Sequence, residues 1–401
     1  MTQATVGTAR GRLRDLTSRL PDGLVDAAWI WFVLRVGLGL LGILAVVGGH
    51  AAGPCPSDAP LQTFLPRDGV GYLLVGVWQH WDACWYSTIA AYGYEQGTGS
   101  TNMFPLFPVL IASAAGVKGN IALAGLVVSA VAFIVALTGL HQLVARDVDP
   151  DVARRTVLFL AIFPGALWYF APYTESVFLA AAVWAILAAR RRRWEIVLVA
   201  GAAAALARPP GVLLVLPLAW ELLMQLRAEA QAGSLRLRVG HLGAAVAVAA
   251  PLVAYGAFVA WTALAVGTPY FEANAAWGGH RVAMPWDRFA DAYAYAITHA
   301  APTQILNIGA WCLFAVLTLA ALRLLPFAYV LFAAPQLVLT MTQDTVWPLM
   351  STMRYLGVLF PCFAVLAIAG RQRRIATGWT VLSLLLLGWF AMQWFEGRMV
   401  G

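Results

Sequence analysis

The sequence predicts an all-α, polytopic membrane protein. Of its 401 residues, 61% are hydrophobic and only 11% charged, against about 25% charged in soluble domains. Windows of about 20 almost wholly apolar residues, each long enough to cross a bilayer, recur along the chain. The net charge of +7 comes from basic residues in short tracts beside those windows. That is the pattern of the positive-inside rule and not of a nucleic-acid-binding face.

Residues 1–23 hold Arg10, Arg12, Arg14 and Arg19 and read as a cytoplasmic tail. No cleavable signal peptide is expected, because the apolar run that follows is long enough to be a span. The first span covers about 27–49. Its Arg35 lies in the cytoplasmic half and is expected to snorkel. Residues 50–103 form a polar outer segment rich in Pro, Gly and aromatics. Phe104-Pro105-Leu106-Phe107-Pro108 then leads into an apolar run to Val117, about 14 residues, too short for a crossing and suited to partial insertion. Further spans are expected near 120–144, 155–171, 173–189, 194–208, 210–226, 240–266, 302–322, 325–342, 353–369 and 375–395. With the first, that makes about 11 transmembrane helices in a single domain over 24–401, with a second outer loop at 267–301. If the N-terminus is cytoplasmic and 104–117 does not cross, the tracts at Arg146, Arg154–Arg155, Arg190–Arg193, Arg236–Arg238 and Arg371–Arg374 all fall inside. A full crossing by 104–117 would send the later tracts outward, against the rule.

The outer segment centres on residues 78–94. Read at 100° per residue, they make one short helix whose aromatic face carries Trp78, Trp81, Trp85, Tyr86, Ile89 and Tyr92, with Asp82 in its middle and His80, Cys84 and Ser87 pointing away. Trp and Tyr suit a membrane–water boundary. A carboxylate among them is costly unless paired or used, and at membrane depth it is more often functional than structural. The plainer reading is a local cap or pair.

The same topology gathers other polar stretches on the outer side: Pro172-Tyr173-Thr174-Glu175-Ser176, Arg208-Pro209-Pro210, the 267–301 loop, Gln343 to Pro348, and Arg354. Arg208 and Arg354 are lone arginines at span ends on the face that the other arginines avoid. Each pairs there with a lipid headgroup or loop carboxylate, or binds a ligand phosphate through the planar guanidinium fork. Glu175 is placed to bind sugar hydroxyls or orient a loop. His280 and Arg281 lie in an outer lid or amphipathic helix beginning near Thr268. Cys312 and Cys362 sit within spans. Cys55 and Cys84 both fall in the outer segment and can form a disulfide if that side is oxidising.

No Gly-rich phosphate loop, zinc-binding His-Glu-x-x-His or Gly-x-Ser-x-Gly elbow is present. The six histidines are scattered, so a histidine metal cage is unsupported. No internal repeat stands out, and charged residues cluster near span ends with Arg35 the main exception. Both features disfavour a transporter or lipid flippase, which is nevertheless the rival from another class.

Four motifs carry a resemblance. His80-Trp81-Asp82-Ala83-x-Trp85-Tyr86-x-x-Ile89-Ala90-x-x-Gly93-Tyr94, followed by Phe104-Pro105-Leu106-Phe107-Pro108, resembles the first-loop signature of the PIG-V family, which comprises GPI mannosyltransferase II and its bacterial relatives. Pro172 to Phe178, Ala207-Arg208-Pro209-Pro210-Gly211, and Arg354 to Pro361 agree in order. Pro210 departs from the pattern, where a small polar residue is expected. Cys84 occupies a variable position, so a disulfide there would be particular to this branch. The resemblance implies a GT-C glycosyltransferase fold and an inverting transfer of mannose from a polyprenyl-phosphate-mannose donor to an envelope lipid, glycan or protein. It implies Asp82 as general base, with Arg208 and Arg354 on the donor phosphate. His80, Trp81, Trp85, Tyr86, Glu175, His280 and Arg281 are the further substrate-binding candidates. Another polyprenyl-phosphate sugar is the alternative donor. No cofactor is expected to be required, with a divalent metal left open. The high Ala, Arg and Gly content suggests a bacterium, and the expectation is a monomeric, multi-pass plasma-membrane protein with its N-terminus cytoplasmic and its site on the extracytoplasmic face.

Overall fold

The computed structural model describes residues 20–53, 55, 66–117, 119–234, 239–276, 284–299, 301–342 and 348–398. Among these, every regular element is helical. Helix α1 (Leu24–Val47) is followed by two short helices of the first loop, α2 (Gly69–Leu74) and α3 (Asp82–Tyr92), and by α4 (Leu106–Ala115). The long α5 (Ile121–Asp147) leads through α6 (Pro150–Ala161) and the single turn α7 (Leu167–Phe170) to α8 (Glu175–Arg190) and α9 (Trp194–Ala207). A 3-10 turn at Pro209–Leu214 runs into α10 (Val215–Gln231), and α11 (Val239–Trp261) ends in a π turn, Thr262–Val266. The second loop contributes α12 (Tyr270–Ala276) and α13 (Pro285–Thr298). The chain closes with α14 (Pro302–Leu324), α15 (Phe327–Thr342), α16 (Thr352–Gly357), α17 (Phe360–Ala369) and α18 (Arg373–Phe395).

Six helical stretches are long and apolar enough to cross a membrane unaided: Leu24–Val47, Ile121–Asp147, Pro209–Gln231, Val239–Val266, Pro302–Leu324 and Arg373–Phe395. They coincide with six of the expected spans. The others are not single long helices. The span expected at 155–171 is α6, a break at Phe163-Pro164 and α7; the stretch Pro164–Phe170 then meets α8 at 98°. The span expected at 353–369 breaks between α16 and α17, ahead of Pro361, whose ring cannot continue a helix begun upstream. The Gly357 carbonyl at that break accepts a bond from Tyr169 Oη at 2.8 Å. Nearly every residue from Thr156 to Ala189 is buried. Those segments are surrounded by protein, so irregular backbone and sub-membrane length cost them little.

Charge separates to the two ends of the bundle. At one end Asp147, Arg190 and Glu221 form a linked group. Arg190 Nη2 lies 3.6 Å from Asp147 Oδ2 and 3.2 Å from Glu221 Oε1, and Tyr329 donates to Asp147 at 2.8 Å. Arg192 with Glu229 and Arg371 with Asp149 extend this end. The first loop, α3 and the N-terminus of α8 occupy the other.

Arg35 does not snorkel to a helix end. Its guanidinium lies 4.1 Å from the Trp78 ring centroid and donates to Phe170 O at 3.1 Å and Leu74 O at 3.3 Å. An arginine held among apolar helices takes whatever carbonyls and aromatic faces are near, and the first loop folds back far enough to offer them.

Candidate active site

Four charged side chains from four separate stretches meet at the first-loop end. Glu175 Oε1 accepts hydrogen bonds from both Arg208 Nη1 and Arg354 Nε. Arg354 Nη1 donates in turn to Asp82 Oδ2 at 2.5 Å. The result is a chain, Asp82–Arg354–Glu175–Arg208, in which two carboxylates balance two guanidinium groups. It lies inside the bundle: Ser129 Oγ bonds Tyr173 O at 3.4 Å, and Ser129 is eight residues, about 12 Å, along α5 from its first residue.

Each member is placed by local backbone rules. Asp82 is the first residue of α3, where the helix macrodipole favours a carboxylate. This corrects the expectation of one helix over 78–94. Trp78 belongs to a 3-10 turn, and the chain is non-helical from Gln79 to Trp81. Trp81 sits at φ 50°, a left-handed conformation costing about 1–3 kcal/mol in a non-glycine residue. The tertiary packing that overrides the helical pattern is aromatic: Trp81 meets Trp394 with ring centroids 4.7 Å apart, and His80 meets it at 5.8 Å. The expected single aromatic face is also corrected. Cys84 and Ser87 are buried, while Tyr92 is exposed.

Glu175 likewise opens its helix. Arg208 precedes Pro209, which holds it extended at φ −156°, ψ 150° and ends α9 at Ala207. Gly211 completes that turn, since a Cβ there would lie 2.1 Å from Ala204 O. Arg354 lies on α16, reached through left-handed residues at Leu349 and Ser351. The α6–α7 break packs directly on it: a Cβ on Gly165 would lie 2.1 Å from Met353 O.

Exposure separates the two carboxylates. The Glu175 side chain is 1% exposed, Arg208 7%, Arg354 11% and Asp82 23%. Asp82 is the accessible acid, and Glu175 is sealed beneath it. Glu175 Oε2 has no hydrogen-bond partner among the described residues.

Two participants were not singled out from the sequence. Tyr173 Oη donates to His80 O at 3.1 Å and accepts from Asp82 N at 3.2 Å, and its ring lies 4.7 Å beneath the Arg354 guanidinium. It fixes the start of α3 and the arginine together. Only its place in the Pro172–Phe178 stretch hinted at this. Trp394, fully buried, reads in the sequence as one more belt aromatic at the end of the last span, and nothing there marks its contact with His80 and Trp81.

The remaining candidates wall the site more than they line it. Tyr86 is buried with its ring 5.2 Å from Phe107 and 6.3 Å from Tyr173; burial, reinforced by the nearby Asp82 carboxylate, pushes its phenol pKa up. Trp85 is partly buried against the core. His280 and Arg281 lie outside the described residues. Among the described residues, no group of three or more His, Cys, Asp or Glu side chains is arranged to hold a metal.

His80 is buried, and burial pushes its pKa down to about 4 from 6.5. The unfolded chain therefore binds a proton between those values that the folded chain refuses. Stability is full above pH 6.5 and falls as pH drops toward 4, by about 3 kcal/mol at the bottom of the window. Melting in detergent at pH 7 and pH 5 is expected to show this loss in the wild type and a smaller one in His80→Gln. Equal acid sensitivity in both would refute the assignment.

Cys55 and Cys84 are joined by a disulfide, with Cα atoms 5.8 Å apart and a sequence separation of 29. It ties α3, two residues past Asp82, to the chain leaving α1. Opening a loop of that length is expected to cost about 2–4 kcal/mol. A reductant should therefore lower the melting temperature of the wild type and leave Cys55→Ser/Cys84→Ser unchanged.

A chain of paired charges sunk into an apolar helical bundle defines the class: a multi-pass membrane protein with an ionised site built from its first loop and helix ends. A family model described as mannosyltransferase (PIG-V) matches residues 62–258, which hold Asp82, Tyr173, Glu175 and Arg208. Over those residues the chain is similar to the PIG-V mannosyltransferase family. No curated protein sequence matches it. Two crystal structures of the Archaeoglobus fulgidus oligosaccharyltransferase resemble it. One is a complex with Zn and sulfate (12% identity, TM-score 0.42, covering 92% of this chain and 53% of that one). The other is the apo form (11%, 0.43, 92% and 56%). The chain thus spans about half the length of those oligosaccharyltransferases.

Proposed function

We infer that this protein is an inverting GT-C mannosyltransferase that moves mannose from polyprenyl-phosphate-mannose to a hydroxyl of an envelope lipid, glycan or protein. The observation that carries this reading is the accessible Asp82 carboxylate joined through Arg354 to a sealed Glu175–Arg208 pair. An acceptor hydroxyl must lose its proton as its oxygen attacks the anomeric carbon, and Asp82 is the positioned base. The carbon–oxygen bond to the donor phosphate breaks on the opposite face. The departing lipid phosphate gains negative charge, and the guanidinium groups of Arg354 and Arg208 stabilise it. Glu175 keeps both arginines oriented while they wait.

An apolar cavity of about 480 Å³ supports a lipid-borne donor. Its walls include Ile89 and Ala90 of α3, Val109 and Ala112 of α4, Leu206 of α9 and Phe258 of α11. It therefore flanks both the helix that begins with Asp82 and the residue two before Arg208. We place the site on the extracytoplasmic face of the plasma membrane and the N-terminus in the cytoplasm, because the opposite end carries the Arg146, Arg190–Arg193 and Arg371 tracts. The alternative donor is another polyprenyl-phosphate sugar, which the same geometry would serve, since the base and arginines do not read the sugar.

The test is turnover by the purified protein of radiolabelled polyprenyl-phosphate-mannose, with a membrane lipid extract as acceptor. Label is expected in an acceptor product, with polyprenyl phosphate released in equal amount. Consumption of a different lipid-linked sugar, and not of mannose, would replace the donor. Movement of intact donor between compartments without transfer would make the protein a transporter.

A further inference from the structure

Three arginines are held within the helical bundle near the site, and Arg35 differs from the other two. Arg208 and Arg354 are neutralised by Glu175 and Asp82. Arg35, midway along α1, faces no carboxylate within ion-pair distance among the described residues. Its partners are the carbonyls of Phe170 and Leu74, the last residues of α7 and α2, and the face of Trp78. Helix-terminal carbonyls carry only partial negative charge. Two of the five guanidinium N–H groups are used there, leaving three. A full positive charge removed from water in this way is costly until an anion meets it.

The space beside it is suited to such an anion and to what the anion is attached to. Arg35 lines a cavity of about 420 Å³ whose walls are otherwise apolar, among them Trp31, Val70, Leu74, Leu123 and Val127. Val70, Leu74, Leu123 and Val127 are exposed, so the groove opens on the lipid side of the bundle. Its polar edge is close: Arg67 and Asp68 stand exposed just before α2, a helix of six residues or about 9 Å. One cation on the floor of an apolar groove, one short helix below a polar rim, is complementary to a phosphate with a chain attached. Free inorganic phosphate gains nothing from apolar walls. The groove lies between α1, α2 and α5, apart from the cavity beside α3, α4 and α9.

We propose that this groove binds an anionic phospholipid of the surrounding bilayer, its phosphate on Arg35 and an acyl chain between α1, α2 and α5. Arg35 also clamps Leu74 and Trp78, at the start of the segment that leads to Asp82, so an occupied groove steadies the first loop.

The experiment is melting of the full-length, delipidated protein in detergent with added phosphatidylglycerol, phosphatidylcholine, polyprenyl phosphate or inorganic phosphate. Phosphatidylglycerol is expected to raise the midpoint by at least about 3 °C, with little effect of phosphatidylcholine or inorganic phosphate. Arg35→Gln should abolish that shift. Because Arg35→Gln also loses the two carbonyl bonds, Val127→Trp serves as a second variant. It fills the groove at an exposed position and leaves Arg35 in place, and it should abolish the shift too. Equal shifts with phosphatidylglycerol and phosphatidylcholine, or a shift retained in Val127→Trp, would overturn the proposal. A shift by polyprenyl phosphate alone would overturn it as well and give the groove to a lipid substrate.

Discussion

Asp82→Asn is expected to slow the proposed mannosyl transfer by a hundredfold or more, the scale on which a positioned general base acts, while the protein stays folded. The amide is nearly isosteric with the carboxylate but cannot take a proton. It also gives up the ionic bond from Arg354 Nη1. Arg354 keeps its bond to Glu175, and the Asp82 side chain is 23% exposed, so the loss of stability should stay within about 2 kcal/mol. Comparing turnover with melting separates the two effects. A variant that keeps more than a tenth of the wild-type rate would make the Asp82–Arg354 contact purely structural. Asp82→Glu should recover part of the rate, because a base displaced by one methylene still accepts protons.

Glu175→Gln is expected to do the opposite: it should damage the fold first and the rate as a consequence. The glutamate is 1% exposed and holds two nearly buried arginines on one oxygen. Without its charge, Asp82 alone faces two guanidinium groups. Removing one partner from a buried ionic group costs about 3–5 kcal/mol, because the remaining charge has lost its compensation. Adding Arg208→Gln to Glu175→Gln should recover much of the stability, since one carboxylate then faces one arginine, but not the activity. If Glu175→Gln melts like the wild type, the four-residue chain is not the structural unit described here.

Much of the architecture was legible because lipid imposes simple rules. Long uninterrupted apolar runs such as 121–147 and 373–395 had to be helices, and the sidedness of arginine tracts grouped Asp82, Glu175, Arg208 and Arg354 at one end before any distance was known. What escaped was set by tertiary contacts. The helical pattern of 78–94 is genuine, yet Trp394, some three hundred residues away, and the Tyr173 hydroxyl hold residues 79–81 out of the helix. The break at Phe163-Pro164 was hidden because the stretch is apolar on both sides, and apolarity does not distinguish a lipid-facing span from one enclosed by protein. Arg35 was read from its depth alone. Its partners, two carbonyls and an indole, have no charge pattern to reveal them.

The helix that begins with Glu175 ends with Arg190. One terminus is bonded to Arg208 and Arg354, the other to Asp147 and Glu221, so α8 is fastened by ionic contacts at both extremities. A rod gripped in that manner can neither slide along its axis nor turn about it without breaking a buried pair. It is therefore the stator of the molecule. On the proposed function, the displacement that admits a lipid-borne sugar has to come from a part that makes no ionic contact with it: the first loop around α3, whose Asp82 reaches Arg354 and not Glu175. Hydrogen exchange should divide the chain along that line, with the backbone of α8 among the slowest amides to exchange and that of α3 opening far more often.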